Sequence, residues 1–278
     1  MSTGNLPSDN LQRAVRLAGI RPKRGLGQNF LVDDASLELV VSAAKLTSDD
    51  TVLEVGPGLG FLTAKLCTHA KQVIAVEADE HLAEILGQDP PANLTVVTGD
   101  IMDYNLSSLP IGYKVVANIP YYLTSKLLRA LLESPNSPQS MSLLVQKEVA
   151  ERITAAPGQL SILALSVQYY AHAKMVGVVE QHKFWPAPKV DSAVLSVTRR
   201  SKPAFAADPT KLFRLIKAGF GERRKQLRNS LAGGLNLSPE VVEQLLDSSE
   251  IDPTRRAQEL ALADWQRLYR GVIGAKLL

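Results

Sequence analysis

The chain has 278 residues, of which 45% are apolar and 21% charged, with a formal net charge of +3. Such a composition belongs to a folded globular protein and excludes a disordered, collagen-like or coiled-coil chain, and the length suits one large domain plus a smaller one. The single cysteine, Cys67, excludes an internal disulfide framework; with no 18-residue apolar run and no signal-like N-terminus, a cytoplasmic, reducing location without a membrane partner is expected.

The charge is segregated along the chain. Residues 1–30 carry five bases against one acid, residues 31–199 carry 12 against 18, and residues 200–278 carry 14 against nine. A polyanion gripped by basic flanks fits this pattern, and so does an unevenly charged solvated surface.

In chain order, residues 1–24 read as a flexible basic arm. From residue 51, β-branched runs alternate with helical spacing. "TVLEVG" (51–56), "KQVIAVEAD" (71–79), "LTVVTGD" (94–100), "YKVVANIP" (113–120) and "MSLLVQ" (141–146) predict strands, and "FLTAKLCTHA", "EHLAEILGQ" and "LTSKLLRALLE" predict the intervening helices. Strand–helix alternation implies a parallel sheet covered on both faces. After a helix at "SILALSVQYYA" come "AKMVGVVE" and "SAVLSVTRR", two strands expected to close the sheet as an antiparallel edge pair. "RRSKPAFAADPTK" (199–211) reads as a linker, and beyond it "KLFRLIKAGF", "RRKQLRNSLAGG", "SPEVVEQLLDSS" and "AQELALADWQRLYRGVI" predict helices. "AGG" is expected to end the second of these and Ser238–Pro239 to cap the third. The fold class is therefore α/β over 25–200 with a smaller all-α domain over 201–278.

"VLEVGPGLG" puts Gly56, Gly58 and Gly60 between a strand and a helix, where a ligand can lie against bare backbone. The spacing is G-x-G-x-G, with Phe61 where a dinucleotide-binding loop would carry its last small residue. Glu77 and Asp100 end the next two strands at the same sheet edge. A carboxylate at Glu77 can accept ribose hydroxyls and one at Asp100 an adenine edge, so an adenosine cofactor fits, with its amino-acid tail over the glycines.

"ANIPYYLTS" ends the fourth strand at that edge. A turn explains Asn118 and Pro120 but not two tyrosines. An exocyclic amino group on a base is a poor nucleophile because its lone pair is delocalised. Two acceptors, the Asn118 side-chain oxygen and the Ile119 carbonyl, would favour a tetrahedral nitrogen; Pro120 restricts Ile119 to extended geometry. Tyr121 offers a ring for a flipped base. Tyr122 reads as a half-buried core aromatic. Phe184, ahead of two prolines, is either a second aromatic wall or a core anchor.

These residues resemble those of the small-subunit ribosomal RNA adenine dimethyltransferases. "NIPYYLTS" is similar to the family's adenine-N6 motif, "VLEVGPGLGFLT" to its S-adenosylmethionine loop, and "GLGQNFLVD" (25–33) to the segment that folds over the cofactor. "LVQKEVAERI", "FWPAPKVDSAV" and "GFGERRKQLRNSL" add three blocks in the right order. The resemblance implies a Rossmann-like, class I S-adenosylmethionine-dependent methyltransferase domain and a helical RNA-binding domain. It implies that Asn29, Leu31, Gly56, Gly58, Glu77, Asp100 and Asn118 line the cofactor site, with Asn118, Ile119, Pro120 and Tyr121 catalytic. The implied reaction dimethylates two adjacent adenines near the 3′ end of 16S rRNA, in a small-subunit assembly intermediate, by a monomer. The sulfonium carbon is already electrophilic, and the four histidines lack ligand spacing with Cys67, so no metal is expected.

"ERRKQLRNS" places Arg223, Arg224, Lys225 and Arg228 in one run. Read as helix, Arg224 and Arg228 share a face, Glu222 is the only acid nearby, and phosphate contact is expected. Competing readings are the large-subunit rRNA methyltransferase of the macrolide-resistance type, a non-catalytic assembly or nucleic-acid-binding factor, and a nicotinamide dehydrogenase. The glycine spacing and "NIPY" argue against the last.

Overall fold

The computed structural model describes residues 22–222 and 224–278, so most of the expected arm at 1–24, and Arg223, lie outside the described residues. The strands are β1 (Phe30–Leu31), β2 (Thr51–Val55), β3 (Gln72–Glu77), β4 (Leu94–Thr98), β5 (Lys114–Asn118), β6 (Ser140–Gln146), β7 (Ala171–Val179), β8 (Phe184–Trp185) and β9 (Ser192–Arg199). The α-helices are α1 (Asp34–Ala44), α2 (Phe61–His69), α3 (Glu80–Gly87), α4 (Thr124–Glu133), α5 (Lys147–Ile153), α6 (Ile162–Tyr170), α7 (Pro209–Gly219), α8 (Leu227–Leu235), α9 (Pro239–Ser248) and α10 (Leu262–Gly274).

The main sheet has the order β4-β3-β2-β5-β6-β9-β7. Neighbours from β4 to β6 are parallel, and β9 runs antiparallel to β6. Val52, Leu53, Val55, Val115, Val116, Leu143 and Leu144 are buried, because parallel strands covered on both faces need near-continuous apolar runs. The expected closing strands are β7 and β9, with β7 outermost. The short pair β1 and β8 makes a separate antiparallel ribbon. Helix α1 was not anticipated. Asp33 caps it through the Ser36 amide, and Leu37, Val40, Val41 and Ala44 form its buried stripe.

The described chain divides into two compact units. One runs through Ala150 and resumes over Ala173–Arg199; the other comprises Glu151–His172 and Arg200–Leu278. The sequence reading set the boundary near residue 200 and gave 151–172 to the first domain. In the structure Leu165 and Tyr169 of α6 belong to the second core, with the Tyr169 ring edge-on to Phe205 and Phe213 at 5.2 and 6.0 Å. Leu212, Ile216, Leu231, Leu246, Trp265 and Leu268 complete that core.

Two expectations for the helical unit are corrected. Helix α8 starts at Leu227 and not at Arg223, and "AGG" does not end it. The helix runs on to Leu235 and stops at Asn236, which adopts the left-handed conformation (φ 56°). Gly234 is there for approach, since a Cβ on it would stand 2.7 Å from Ala218 Cα in α7. Gly233 faces open space. Gly234→Ala should therefore destabilise the protein by about 1–3 kcal/mol, whereas Gly233→Ala should stabilise it by about 0.5–1 kcal/mol. Urea denaturation of the two variants beside the wild type checks the opposite signs.

Candidate active site

The strand order reverses between β2 and β5. Successive connections run outward to β3 and β4 on one side and to β6 on the other, and open α/β sheets bind ligands at the carboxyl ends of strands around such a point. The glycine loop leaves β2 there and Asn118 ends β5. Gly56, Gly58 and Gly60 all have positive φ (66°, 58° and 79°), which side chains rarely adopt. A Cβ on Gly58 would meet the Phe30 ring at 2.9 Å, while one on Gly56 would meet no atom within 4 Å. Gly60 precedes α2 with no side-chain cap, so the first amides of that helix remain open.

The cleft above this loop is lined by Leu31, Glu54, Glu77, Asp100, Asn118 and Tyr121, among others. Glu77 is buried and accepts Gly58 N–H at Oε2 and Asp79 N–H at Oε1, both at 2.9 Å. It thus shapes the loop as well as facing the cleft, and burial holds its carboxyl above the usual range. A carboxylate has about four acceptor positions, so each oxygen keeps capacity for a ligand hydroxyl. Asp100 is exposed, with Oδ1 turned back onto Met102 N–H at 2.8 Å.

Glu54 was missed. It is 1% exposed on the floor of the cleft, and its Oε2 has no partner among the described residues. Burial, with the Glu77 carboxylate nearby, pushes its carboxyl up to about 8. The sequence signal was an acid inside the apolar run "VLEVG", where a strand buried on both faces has no ordinary place for a charge.

Residues 26–31, following the segment from residue 22, line the cleft as a strap. Asn118 Nδ2 donates to the Asn29 carbonyl at 2.9 Å. That carbonyl can only accept, so the Asn118 amide is oriented with its nitrogen on the strap and Oδ1 free to accept. Ile119 N–H donates to Leu144 O at 3.2 Å, and Pro120 turns the chain into Tyr121. The Tyr121 hydroxyl bonds Ser192 Oγ at 2.8 Å, and Ser192 is fully buried in β9. Ser192 is a second residue that local sequence could not find, because it lies 71 positions away.

Asn29 lines the cleft as expected, with its side-chain nitrogen on Gly27 O at 3.1 Å. Several other expected residues sit elsewhere. Tyr122 is not a core aromatic: it is 67% exposed, against Gly27. Phe184 is no aromatic wall, being 3% exposed in the core with Leu31 and Leu37. Alternation along β8 turns its neighbour Trp185 the other way, where that ring stacks with Phe30 at 6.4 Å. Among the basic residues, Arg224 and Lys225 precede α8, so Arg224 shares no helical face with Arg228. Lys225 pairs with Glu222 at 2.7 Å and Arg228 with Glu243 at 3.3 Å, so these charges are not unpaired. No group of three or more potential metal ligands occurs among the described residues, and no helix there is long and apolar enough to cross a membrane.

A Rossmann-like sheet, a glycine loop closed by a buried acid and an acceptor-bearing NIPY turn at the switch point define an S-adenosylmethionine-dependent methyltransferase. The sequence model described as "Ribosomal RNA adenine dimethylase" matches residues 20–272, and the chain belongs to that family. It is 41% identical over 255 residues, 90% of its length and 88% of the relative's, to "Ribosomal RNA small subunit methyltransferase A" of Dehalococcoides mccartyi. It is 38% identical over 275 residues to the protein of that description in Desulfitobacterium hafniense, covering 95% of this chain and 97% of the other. Among solved structures it resembles a dimethyladenosine transferase from Plasmodium falciparum, with a TM-score of 0.78, 25% identity and coverage of 89% and 98%. The 23S rRNA methyltransferase ErmE follows at 0.70 and 28%, covering 88% of this chain and all of that one.

The residues present fit the cofactor. Gly56 lines the cleft with open space where a Cβ would stand, and the orphan oxygen of Glu54 is an acceptor without a donor, suited to a cationic ligand. In the ligand-free protein this carboxyl carries a proton that the unfolded chain has lost between its usual 4.5 and about 8. The folded state binds more protons across that window, so this group's contribution to stability declines as pH rises through it. Glu54→Gln should flatten the decline, making the variant gain on the wild type from pH 5 to pH 8 in urea denaturation. Parallel curves would show that Glu54 is not the titrating group.

Proposed function

We propose that this protein transfers methyl groups from S-adenosylmethionine to the N6 amino groups of two adjacent adenines near the 3′ end of small-subunit ribosomal RNA. The observation that carries the reading is the Asn118 amide, pinned by its nitrogen so that its oxygen is presented as an acceptor at the switch point. The bound cofactor supplies a methyl group on a positively charged sulfur, already activated for transfer. Glu77, Asp100 and the glycine loop hold and orient it, and Glu54 meets its positive charge. Asn118 Oδ1 and the Ile119 carbonyl accept the two N–H bonds of the adenine amino group, so its lone pair leaves the ring as the nitrogen becomes tetrahedral. Tyr121 stacks on the flipped base, with Ser192 fixing the ring through its hydroxyl.

The similarity of the small-subunit relatives over nearly the whole chain favours this substrate over the large subunit. Presentation within an assembly intermediate rests on the family resemblance, and exposed Arg224 with the basic tail supports contact with rRNA phosphates. Primer extension on ribosomal RNA from a strain lacking the gene tests the assignment. Supplying the chain should restore two adjacent stops near the 3′ end of 16S rRNA. Stops appearing in 23S rRNA instead would sink it.

Asn118→Ala should lower kcat by about 100-fold or more while RNA affinity holds. Cofactor affinity should fall by only about 0.5–1.5 kcal/mol, for the released Asn29 carbonyl. Tyr121→Ala should lose about 1–3 kcal/mol of base stacking, and Tyr121→Phe only the bond to Ser192. A Phe variant as inactive as the Ala variant would show that the hydroxyl and not the ring carries the role. Single-turnover rates with a 16S fragment separate these cases.

A further inference from the structure

Asp79 follows Glu77 by two residues and occupies the N-cap of α3, where an aspartate ordinarily accepts from a first-turn amide. Its carboxylate lies near the first-turn His81 amide, but its short bonds go elsewhere: Oδ1 accepts Lys23 Nζ at 2.7 Å and Oδ2 accepts Gln28 Nε2 at 2.9 Å. The Gln28 side-chain oxygen in turn accepts Lys23 N–H at 2.7 Å, closing a ring of three bonds. The Asp79 side chain is 3% exposed and that of Lys23 57%, so a buried carboxylate reaches out to a surface segment. Burial works to raise its pKa, and the bonds from Lys23 and Gln28, with the Lys23 charge and the nearby His81 amide, outweigh it, holding the carboxyl below the usual range.

The held segment is the strap. One residue beyond Gln28, the Asn29 carbonyl takes the Asn118 amide, and Phe30 then lies on Gly58. We infer that Asp79 is the latch of this strap, a positioning residue that holds residues 23–31 in place and keeps the Asn29 carbonyl against Asn118. The C-terminal end of the strap is also held by packing, with Phe30 buried against Leu82 and the Gly58 loop and Leu31 in the main core, and by a two-residue pairing with β8. Its N-terminal end, at Lys23 and Gln28, is held by the bonds to Asp79, and that end is what the latch fixes. Residues 26–31 line the cleft, so the latch is expected to slow cofactor release by holding them in place. That part rests on the reading of the cleft as the S-adenosylmethionine site.

The test has two independent readouts. In ligand-free protein, Asp79→Ala should speed amide hydrogen exchange over residues 23–31 while leaving β2 and β5 unchanged. In stopped flow, S-adenosylmethionine should dissociate roughly 10–100-fold faster, the loss expected for hydrogen bonds to a charged group. Lys23→Ala with Gln28→Ala should reproduce both changes from the strap side, and adding Asp79→Ala to that pair should change neither further. Asp79→Asn keeps the volume and one acceptor, and gives an intermediate effect if the alanine variant fails to fold. Unchanged exchange over the strap in these variants overturns the latch. Faster release in Asp79→Ala alone, with the strap variants normal, also overturns it, because Asp79 would then act on the cofactor directly. If the wild type binds no S-adenosylmethionine the function reading fails, and the ligand-free exchange still decides the latch.

Discussion

Strand β2 pairs in parallel with β3 on one side and with β5 on the other, and every functional feature of the first unit depends on that double pairing. The register sets Glu54 beside Ala75 and Val116, which brings the exits of three strands to one edge. The glycine loop, Glu77 and Asn118 are separated by 17 to 62 positions in sequence, and meet only because β5 returns to the far side of β2. A one-residue slip in β5 would turn its side chains to the opposite faces and displace Asn118 from the loop.

The edge is costly to build. Two carboxyl groups, Glu54 and Glu77, are withdrawn from water beside each other, and burial raises both above the usual range. Glu77 is offset by two backbone N–H groups. Glu54 keeps an oxygen without a partner among the described residues. Unsatisfied buried acceptors are rare in native proteins, and here one lies on the floor of a cleft whose ligand carries positive charge.

The helical unit follows another logic. Its core is apolar and held by close helix approach, as Gly219 against Trp265 and Gly234 against Ala218 illustrate. Its bases near α8 are partly satisfied by Glu222 and Glu243. Exposed pairs of this kind contribute little to stability, so phosphates can compete for these bases at small cost. A basic run in sequence overstated the free charge, because Glu243 lies 15 positions from Arg228 and reaches it only through the packing of α9 on α8.

The sequence by itself determined whatever is local and periodic: the strand–helix alternation, the G-x-G-x-G turn, the acids at strand ends and the NIPY stretch. Each follows from side-chain period or backbone sterics within a few residues. It also held signals that went unread, such as the apolar stripe of α1 and the acid within "VLEVG". Tertiary structure alone decided the rest. Phe184 took the second of its two expected places, as a core anchor, because alternation along β8 turns it inward while Trp185 turns the other way; Tyr122, expected in the core, is exposed on the short turn after β5. The second unit took α6 because its aromatic face found Phe205 and Phe213. Asn118 acquired a defined amide orientation from the Asn29 carbonyl, Tyr121 an anchor in Ser192, and Asp79 a bond to the strap. All three are hydrogen bonds between residues 51 or more positions apart, and a distance of that kind leaves no trace in the local pattern of a chain.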